Sequence, residues 1–296
     1  MSTKKILLVV GGCFLGLVLL FVGSMVVAKL LFSDKEKGFV TGPGIGLIEV
    51  KGMIVDSSEP IRQLRHFAKK DSVKAVVLRI DSPGGVVGPS QEIYEEVRKL
   101  AAKKKVVVSM GSLAASGGYY IAAPATVIYA NPGTITASIG VLIKFSNLEG
   151  LFGKLGVSST TIKTGSFKDA GAPDRPLSPE DRAMFQALID STHEQFVKAV
   201  AEGRKLPVDE IRKIADGRVL SGEQAKALKL VDKLGNLPDA VEEAGRLAGI
   251  SGEPSIILAP KKKVNFFEML AEGAEGRFNG VLNKAAVGRG LQVTYE

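Results

Sequence analysis

The sequence has little of the chemistry on which disulfide-rich and metal-dependent proteins rely. Its 296 residues include no tryptophan and a single cysteine, Cys13, so no disulfide can form within one chain. The two histidines, His66 and His193, are far apart and belong to no H-E-x-x-H or C-x-x-C pattern. Because zinc sites need clustered ligands of these types, the sequence predicts neither a metal nor another cofactor.

The charge pattern offers no support for nucleic-acid binding. The formal net charge is +8, from 39 basic and 31 acidic residues, and charges of both signs alternate along the predicted helices. Such mixing is typical of a solvated surface, with at most a weak attraction to an anionic membrane. No nucleic-acid recognition motif is present, so nucleic acid is not expected among the partners.

The one long hydrophobic run lies at the N-terminus. Residues 6–28 contain no charged side chain, and a helix of that length reaches roughly 34 Å, enough to cross a bilayer core. Lys4 and Lys5 precede the run, which favours a cytoplasmic N-terminus. The sequence therefore predicts a single-pass anchor in a bacterial cytoplasmic membrane, with the rest of the chain on the extracytoplasmic side.

This run has two other interpretations. The first is a cleavable signal peptide ending at Ala28, but its apolar core would be longer than the usual stretch of about 7–15 residues. A lipoprotein site at Cys13 fits less well, because the apolar stretch before it is short and the chain stays apolar after it. An uncleaved anchor remains the prediction.

The chain divides into four predicted parts. Residues 1–32 form the predicted membrane anchor and residues 33–46, polar and glycine-rich, form a linker. Residues 47–260 are predicted to be one catalytic domain. Residues 261–296 form a tail that is either an amphipathic helix or a frayed end.

Within residues 47–260, short β-branched runs alternate with amphipathic stretches. This alternation predicts an α/β domain in which helices cover a parallel or mixed sheet. A long helix is predicted to begin at Ser178, which stands before Pro179 and three residues before Asp181. Strands are predicted at 47–54, 73–80, 106–110 and 126–130, and other helices at 61–70, 91–102, 207–215, 221–228 and 238–248.

The segment GSLAASGGYY after one predicted strand has the composition of a nucleophile turn. Ser116 is followed by two glycines, and small residues let a substrate backbone approach an exposed hydroxyl closely. A helix beginning there would direct free N–H groups toward an oxyanion. Serines also cap many helices without any catalytic role, so this segment alone leaves both interpretations open. The turn DSPGG, residues 81–85, is similarly either an ordinary turn or a second oxyanion donor.

A serine hydroxyl needs a neighbouring base. His66 and His193 lie in predicted helices, where packing or surface roles are more common, and this disfavours a Ser-His-Asp triad. A neutral lysine can take the place of histidine. Lys163 and Lys168 both lie in TIKTGSFKDAGAP, and the small and apolar neighbours of Lys168 predict the desolvation that a neutral amine requires.

Four motifs occur in order: VVLRIDSPGG, VSMGSLAASGGYYIAAPA, ANPGTITASIGV and IKTGSFKDAG. Together they resemble the signal peptide peptidase A family of S49-type serine proteases, in its short form with one catalytic domain, over roughly residues 45–250. The resemblance implies a crotonase-like fold related to the Clp protease subunit, placed after an N-terminal transmembrane helix. It also implies ring or dome homo-oligomers that degrade cleaved signal peptides.

The resemblance assigns roles to individual residues. It implies that Ser116 is the nucleophile, that Lys168 is its base, and that Ser138 orients the lysine. The backbone N–H groups of Gly85 and Gly117 are implied as the oxyanion hole. Expected partners are peptide substrates, membrane lipid and further copies of the chain.

Two other function classes remain open from the sequence. The crotonase-like fold also hosts acyl-CoA enzymes, because two backbone N–H groups hold a thioester oxyanion equally well. A catalytically idle membrane scaffold is the second alternative, against which the complete serine, lysine and glycine set argues.

Overall fold

A computed structural model describes residues 43–260 and 294–295, together with residues 11–12, 15–21 and 23–24. The chain divides into two compact units, Met1–Thr41 and Gly42–Glu296. In the first unit the described residues are helical. Among the described residues, no helix is long and apolar enough to cross a membrane. Much of the predicted membrane segment 6–28, and all but two residues of the predicted tail 261–296, lie outside the described residues.

The second unit is an α/β domain built on one mixed sheet. Its central strands run in the order β7-β6-β4-β2-β1-β9, and β5 joins at β4 and pairs with β8. In this sheet all pairings are parallel except that of β6 with β7, and β3 and β10 form a separate antiparallel pair. The strands are β1 (Gly44–Lys51), β2 (Val73–Ser82), β3 (Gly85–Val86), β4 (Lys105–Ala115), β5 (Val127–Ala130), β6 (Ile135–Ala137), β7 (Val219–Ser221), β8 (Lys233–Leu234), β9 (Ser255–Leu258) and β10 (Thr294–Tyr295).

Helices cover both faces of this sheet. In the domain they are α1 (Ser58–Lys69), α2 (Val87–Ala101), α3 (Gly117–Ala122), α4 (Glu149–Lys154), α5 (Pro179–Arg204), α6 (Val208–Arg212), α7 (Gly222–Ala227) and α8 (Leu237–Leu247). Strand β2 shows why both faces need covering. Val76, Leu78 and Ile80 belong to the larger core cluster, whereas Ala75 and Val77 belong to a second cluster with residues of α8. A strand that is apolar on alternate residues and on both faces is typical of a buried parallel sheet.

The element predictions from sequence are confirmed, with boundary differences. The long helix α5 begins after Ser178, whose side chain accepts from the N–H of Asp181 in a capping box. Strand β4 extends past the predicted end at residue 110 to Ala115. Its first half pairs with β2 and its last three residues pair with β6. This extension brings Ser116, the next residue, beside Ala137 at the end of β6.

Candidate active site

Ser116 lies at the turn from β4 into α3, in a backbone conformation that serine rarely adopts. Its φ is 53° and its ψ is −119°. A non-glycine residue in this region costs about 1–3 kcal/mol and persists only where the surrounding structure enforces it. Here the N–H of Ser116 donates to the carbonyl of Ala137 at 2.7 Å, and every residue of α3 is buried. A serine on a sharp strand-to-helix turn is the geometry of a nucleophile elbow.

The hydroxyl of Ser116 is fully buried and has no hydrogen-bond partner among the described residues. Most buried hydroxyls in proteins are hydrogen-bonded, because leaving one unpaired costs free energy. An unpaired hydroxyl at a strained turn is therefore unexpected for a purely structural serine. It is expected for a nucleophile whose partners are the substrate and a base.

The DSPGG turn lies close to this elbow and is held by Ile54. The N–H of Ile54 donates to the carbonyl of Gly84 at 2.8 Å, and the N–H of Val86 donates to the carbonyl of Ile54 at 2.8 Å. Backbone groups alternate sides along a strand, so the N–H and carbonyl of Gly85 point away from Ile54. A Cβ atom on Gly85 would lie 2.2 Å from the carbonyl oxygen of Ile54, which explains the glycine.

The two predicted oxyanion donors are neighbours in space. A Cβ atom on Gly117 would lie 3.2 Å from the nitrogen of Gly85. The N–H of Gly117 belongs to the first turn of α3, where helices have no internal partner for it. The structure thus brings together Ser116, Gly85 and Gly117, and the arrangement can hold an oxyanion next to a serine hydroxyl.

Ser90 supports this corner and was not predicted. It is buried, and its hydroxyl donates to the carbonyl of Val86 at 2.9 Å. A Cβ atom on Gly117 would also lie 2.6 Å from its oxygen. A serine in the first turn of a helix, four residues after a strand residue, is a weak signal for such a bond to the i−4 carbonyl.

Strand β3, next to the elbow, is paired on its outer side by the two described residues of the tail. Strand β10 runs antiparallel to β3, with Thr294 opposite Val86 and Tyr295 opposite Gly85. Ile54 pairs with the other side of β3. Three segments of the same chain therefore lie side by side near Ser116. The outer edge of β3 is thus paired with an extended segment of the same chain.

Ser138 is one residue beyond the end of β6. It directly follows Ala137, whose carbonyl accepts the hydrogen bond from the N–H of Ser116. Ala137 and Ser138 both have positive φ, 63° and 50°. The N–H of Ser138 donates to the carbonyl of Arg218 at 2.9 Å, and its hydroxyl lies 3.4 Å from the carbonyl oxygen of Gly217. Ser116 follows β4, and Ala137 and Ser138 lie at the end of the paired strand β6. Three non-glycine residues with positive φ are therefore close together.

Lys168 is exposed, which differs from the desolvated position that its small neighbours predict. It lies in residues 161–175, here called the lysine loop, and its amine forms no hydrogen bond or ion pair within the described residues. In one chain the structure therefore does not join Lys168 to Ser116. The small neighbours remove steric bulk around the amine, but none of the described residues buries it.

The other candidate bases are engaged or remote. Lys163 forms an ion pair with Asp169 and donates to the carbonyl of Ser166 at 2.8 Å. His66 lies in α1 and His193 in α5, and neither hydrogen-bonds to Ser116. Burial lowers the pKa of His66 below its ordinary value. Among the described residues, no three histidine, cysteine or acidic side chains come together as metal ligands.

Known families match this chain over the segments that form the site. The family described as Peptidase family S49 matches residues 98–251, which include the elbow and the lysine loop. The family described as Clp protease matches residues 49–134, which include the DSPGG turn and the elbow. The second match agrees with the expected Clp-like α/β fold.

Three similar proteins have names that describe proteases. A putative protease of Synechocystis is 47% identical over 208 residues, which is 70% of this chain and 75% of that protein. Protease 4 of Salmonella typhi is 41% identical over 218 residues, 70% of this chain and 35% of that protein. A putative signal peptide peptidase SppA of Enterococcus faecium is 35% identical over 209 residues, covering 66% of this chain and 61% of that protein.

Proposed function

The chain belongs to peptidase family S49 and is a serine peptidase, and from this premise we propose that it is a membrane-anchored endopeptidase with a Ser-Lys dyad. Ser116 is the nucleophile and Lys168 the general base. The substrates are cleaved signal peptides and other short apolar peptides. The observation that carries the proposal is the buried, unpaired hydroxyl of Ser116 in a strained turn beside Gly85 and Gly117.

In the proposed acylation step, Lys168 acts as general base and Ser116 as nucleophile. The neutral amine of Lys168 takes the hydroxyl proton of Ser116 as the oxygen forms a bond to the peptide carbonyl carbon. The carbonyl oxygen becomes negative and accepts hydrogen bonds from the N–H groups of Gly85 and Gly117. When the C–N bond breaks, the lysine ammonium donates its proton to the leaving amine.

Deacylation reverses the roles. Water loses a proton to the neutral amine of Lys168 and attacks the ester carbonyl of the acylated Ser116. The tetrahedral intermediate uses the same two glycine N–H groups. Collapse returns a proton to the serine oxygen and releases the peptide acid, so the cycle needs no cofactor.

We propose that the peptide binds as an antiparallel strand along β3. The pairing of β10 with this edge supports the proposal, because Tyr295 occupies the position opposite Gly85. A peptide in the same register would place a backbone carbonyl near the Gly85 N–H. Backbone bonds would then provide affinity, and side-chain pockets would provide preference.

A second copy of the chain is proposed to deliver Lys168. The segment before and within the lysine loop has many exposed apolar side chains, and helix α4 buries none of its residues. These side chains are Leu148, Leu151, Leu155, Val157, Ile162 and Phe167. An apolar surface of this kind is typical of a subunit contact. Burial there would desolvate Lys168 and favour its neutral form.

Mixing two inactive variants tests this arrangement. Ser116→Ala and Lys168→Ala are each expected to be inactive, whereas an oligomer assembled from both would contain sites with an intact serine and a neighbour's lysine. With random 1:1 assembly about a quarter of the sites are complete if each site combines two adjacent subunits. No recovery from well-mixed oligomers would show that the dyad forms within one chain.

The anchor is proposed to hold the catalytic domain at the extracytoplasmic face of the membrane. Residues 15–21 are helical and the side chains of Leu17, Leu20 and Phe21 are exposed, as expected of a surface that contacts lipid. The full chain should fractionate with membranes and resist alkaline carbonate. Protease added to spheroplasts should digest the domain, and a shielded domain would contradict this orientation.

The substrate class can be tested directly. Full-length enzyme in detergent should cleave peptides with the apolar core of a signal peptide at higher kcat/KM than polar peptides of equal length. Equal values would argue against signal peptides as the preferred class. Acyl-CoA thioesters form the matched control, because turnover of thioesters without peptide cleavage would favour an acyl-CoA enzyme instead.

A further inference from the structure

The lysine loop is fastened by a network of charged side chains on both sides of Lys168. At its centre, Arg175 binds the carboxylate of Asp169 with two nitrogens, at 3.2 Å to Oδ2 and 3.0 Å to Oδ1. Arg175 also donates to the backbone carbonyl of Asp169 at 3.2 Å. A bidentate guanidinium–carboxylate pair fixes direction as well as distance. The residue directly after Lys168 is therefore held in three ways by one arginine.

The same arginine ties the loop to the start of α5. Its Nη1 donates to Oδ2 of Asp181 at 2.6 Å. Asp181 is buried, and its carboxylate also accepts from the N–H of Ser178 in the capping box of α5. Since α5 has Phe196 and Val200 in the main core, this contact joins the lysine loop to a rigid element.

Lys163 closes the network on the N-terminal side of Lys168. Its amine is paired with Asp169 and also donates to the carbonyl of Ser166 at 2.8 Å. The Lys163 ammonium thus connects the backbone of Ser166 with the side chain of Asp169, on either side of Lys168. Backbone bonds from Ala170 to Phe167 and from Ala172 to Asp169 tighten the same turn.

A steric contact fixes the loop beyond Asp169. Gly171 has a φ of 81°, and a Cβ atom there would lie 2.4 Å from the ring of Phe145. That ring packs against Phe185 of α5, with 4.6 Å between centroids. The chain directly after Lys168 is therefore held by a charged contact at Asp169 and a packing contact at Gly171, both of which lead to α5.

We propose that Asp169 and Arg175 are positioning residues that hold the Lys168 amine in the orientation needed to deprotonate Ser116. This inference rests on the proposed role of Lys168 as base. An exposed lysine side chain samples many rotamers, and ordering it costs free energy at every turnover. Fixing the backbone on both sides reduces this cost and sets where the amine points.

The network persists over the pH range in which a lysine base acts. Hydrogen bonds from Arg175 and then from Lys163 lower the pKa of Asp169 to about 2. Arg175 also lowers the pKa of Asp181. Both carboxylates therefore remain ionised near neutral pH, so the positioning contacts are present there.

Steady-state kinetics of the full-length enzyme in detergent, with a fluorogenic peptide, tests the proposal. The variants are Asp169→Asn, Arg175→Gln and Arg175→Lys. Matched controls in the same region are Asp174→Asn and Arg182→Gln, whose side chains form no ion pair among the described residues. Thermal unfolding of every variant shows whether it folds.

The expected result is a loss confined to kcat. Misplacing a reacting group costs on the order of tenfold to a hundredfold in rate, so Asp169→Asn and Arg175→Gln should lose tenfold or more. KM should not change, because β3 and Ser116 are not altered. Arg175→Lys should resemble Arg175→Gln, because an ammonium cannot bridge both aspartates in the same plane. The controls should stay within about twofold of wild type.

Folded Asp169→Asn and Arg175→Gln variants with kcat equal to the controls would overturn the proposal. So would a loss that appears in KM alone. If Asp169→Asn does not fold, Arg175→Lys and Lys163→Gln decide the question by the same criteria. An active Lys168→Ala would instead refute the proposed base, so the two failures remain distinguishable.

Discussion

At the scale of single residues, backbone geometry sets the position of the Ser116 hydroxyl. Its φ of 53° turns the hydroxyl out of the β4 direction, and neighbouring Ala137, also at positive φ, accepts its N–H. The sequence shows the glycines that permit such a turn but not the strain itself. Ser116 and its glycines could be predicted because small residues leave a recognisable pattern after a strand.

Gly85 provides a prediction at this scale. In Gly85→Ala the new methyl would meet the Ile54 carbonyl at 2.2 Å, so the turn must move and its N–H must leave the oxyanion position. Removing one such donor costs about a hundredfold to a thousandfold in kcat. We expect a loss of that order, measured by peptide turnover.

Gly88→Ala is the matched control for Gly85. It lies three residues further along, and a Cβ atom there meets no atom within 4 Å. It should keep wild-type kcat and unfold at a similar temperature, because alanine favours the helix α2 in which it lies. A fully active Gly85→Ala would show that the N–H of Gly85 does not stabilise the oxyanion.

At the scale of elements, the local sequence pattern predicted the strands and helices whose bounds depend on neighbouring residues. The β-branched runs gave β2 and β5 close to their bounds, and Ser178 with Asp181 located the start of α5. The pairing of β6 with β7 and of β3 with β10 depends on residues far apart in the chain. No local signal encodes such pairings, which form only when the whole sheet closes.

The candidate site was predictable to the same extent. Ser116, Gly85 and Gly117 meet because β2 and β4 are adjacent and parallel, as α/β alternation leads one to expect. The exposure of Lys168 and the bracing by Asp169 and Arg175 were not predicted. Both depend on how a surface loop packs against α5, and charged residues in a loop give no periodic pattern.

The pairing of β10 with β3 gives a prediction for one element. Deleting residues 291–296 from the full chain frees the edge opposite Gly85, so substrates no longer compete with the tail. We expect KM to fall about threefold or more. When the tail covers the site for part of the time, the apparent affinity for substrate is reduced in proportion to the fraction of sites that are free. Steady-state kinetics with a fluorogenic peptide measures it.

Two proline variants make this test specific for the strand. Alternation along the ladder directs the N–H of Tyr295 toward Gly85 and that of Thr294 away from it. Tyr295→Pro should therefore lower KM like the deletion, and Thr294→Pro should do so less. An unchanged KM in the deletion would show that the tail does not occupy this edge in solution.

At the scale of the whole molecule, ion pairs at the surface make stability dependent on pH. Hydrogen bonds from Arg65 lower the pKa of Glu96 to about 2, and Arg246, followed by Lys233, does the same for Glu243. A carboxylate whose pKa is lower in the folded protein than in the unfolded chain stabilises the fold at pH values above its ordinary pKa. This stabilisation is lost as the pH falls through the folded-state pKa. Melting temperature should therefore decline from pH 4.5 toward about 2.

Glu243→Gln tests this pH dependence. It should melt below wild type at neutral pH, and the difference should shrink as the pH falls from 4.5 toward about 2. Glu242→Gln is the matched control, because its side chain forms no ion pair among the described residues. Thermal unfolding across this pH range gives the result, and a difference that stays constant would contradict the pKa assignment for Glu243.

We propose that Ser116 is a nucleophile activated by Lys168. This is tested by the rate at which a fluorophosphonate probe labels the intact, full-length enzyme in detergent, with mass spectrometry to locate the adduct. We expect one adduct, on Ser116, and a labelling rate at least about a hundredfold lower in Lys168→Ala and Lys168→Arg. An adduct on another serine, or undiminished labelling of Ser116 in folded Lys168→Ala, would contradict this assignment.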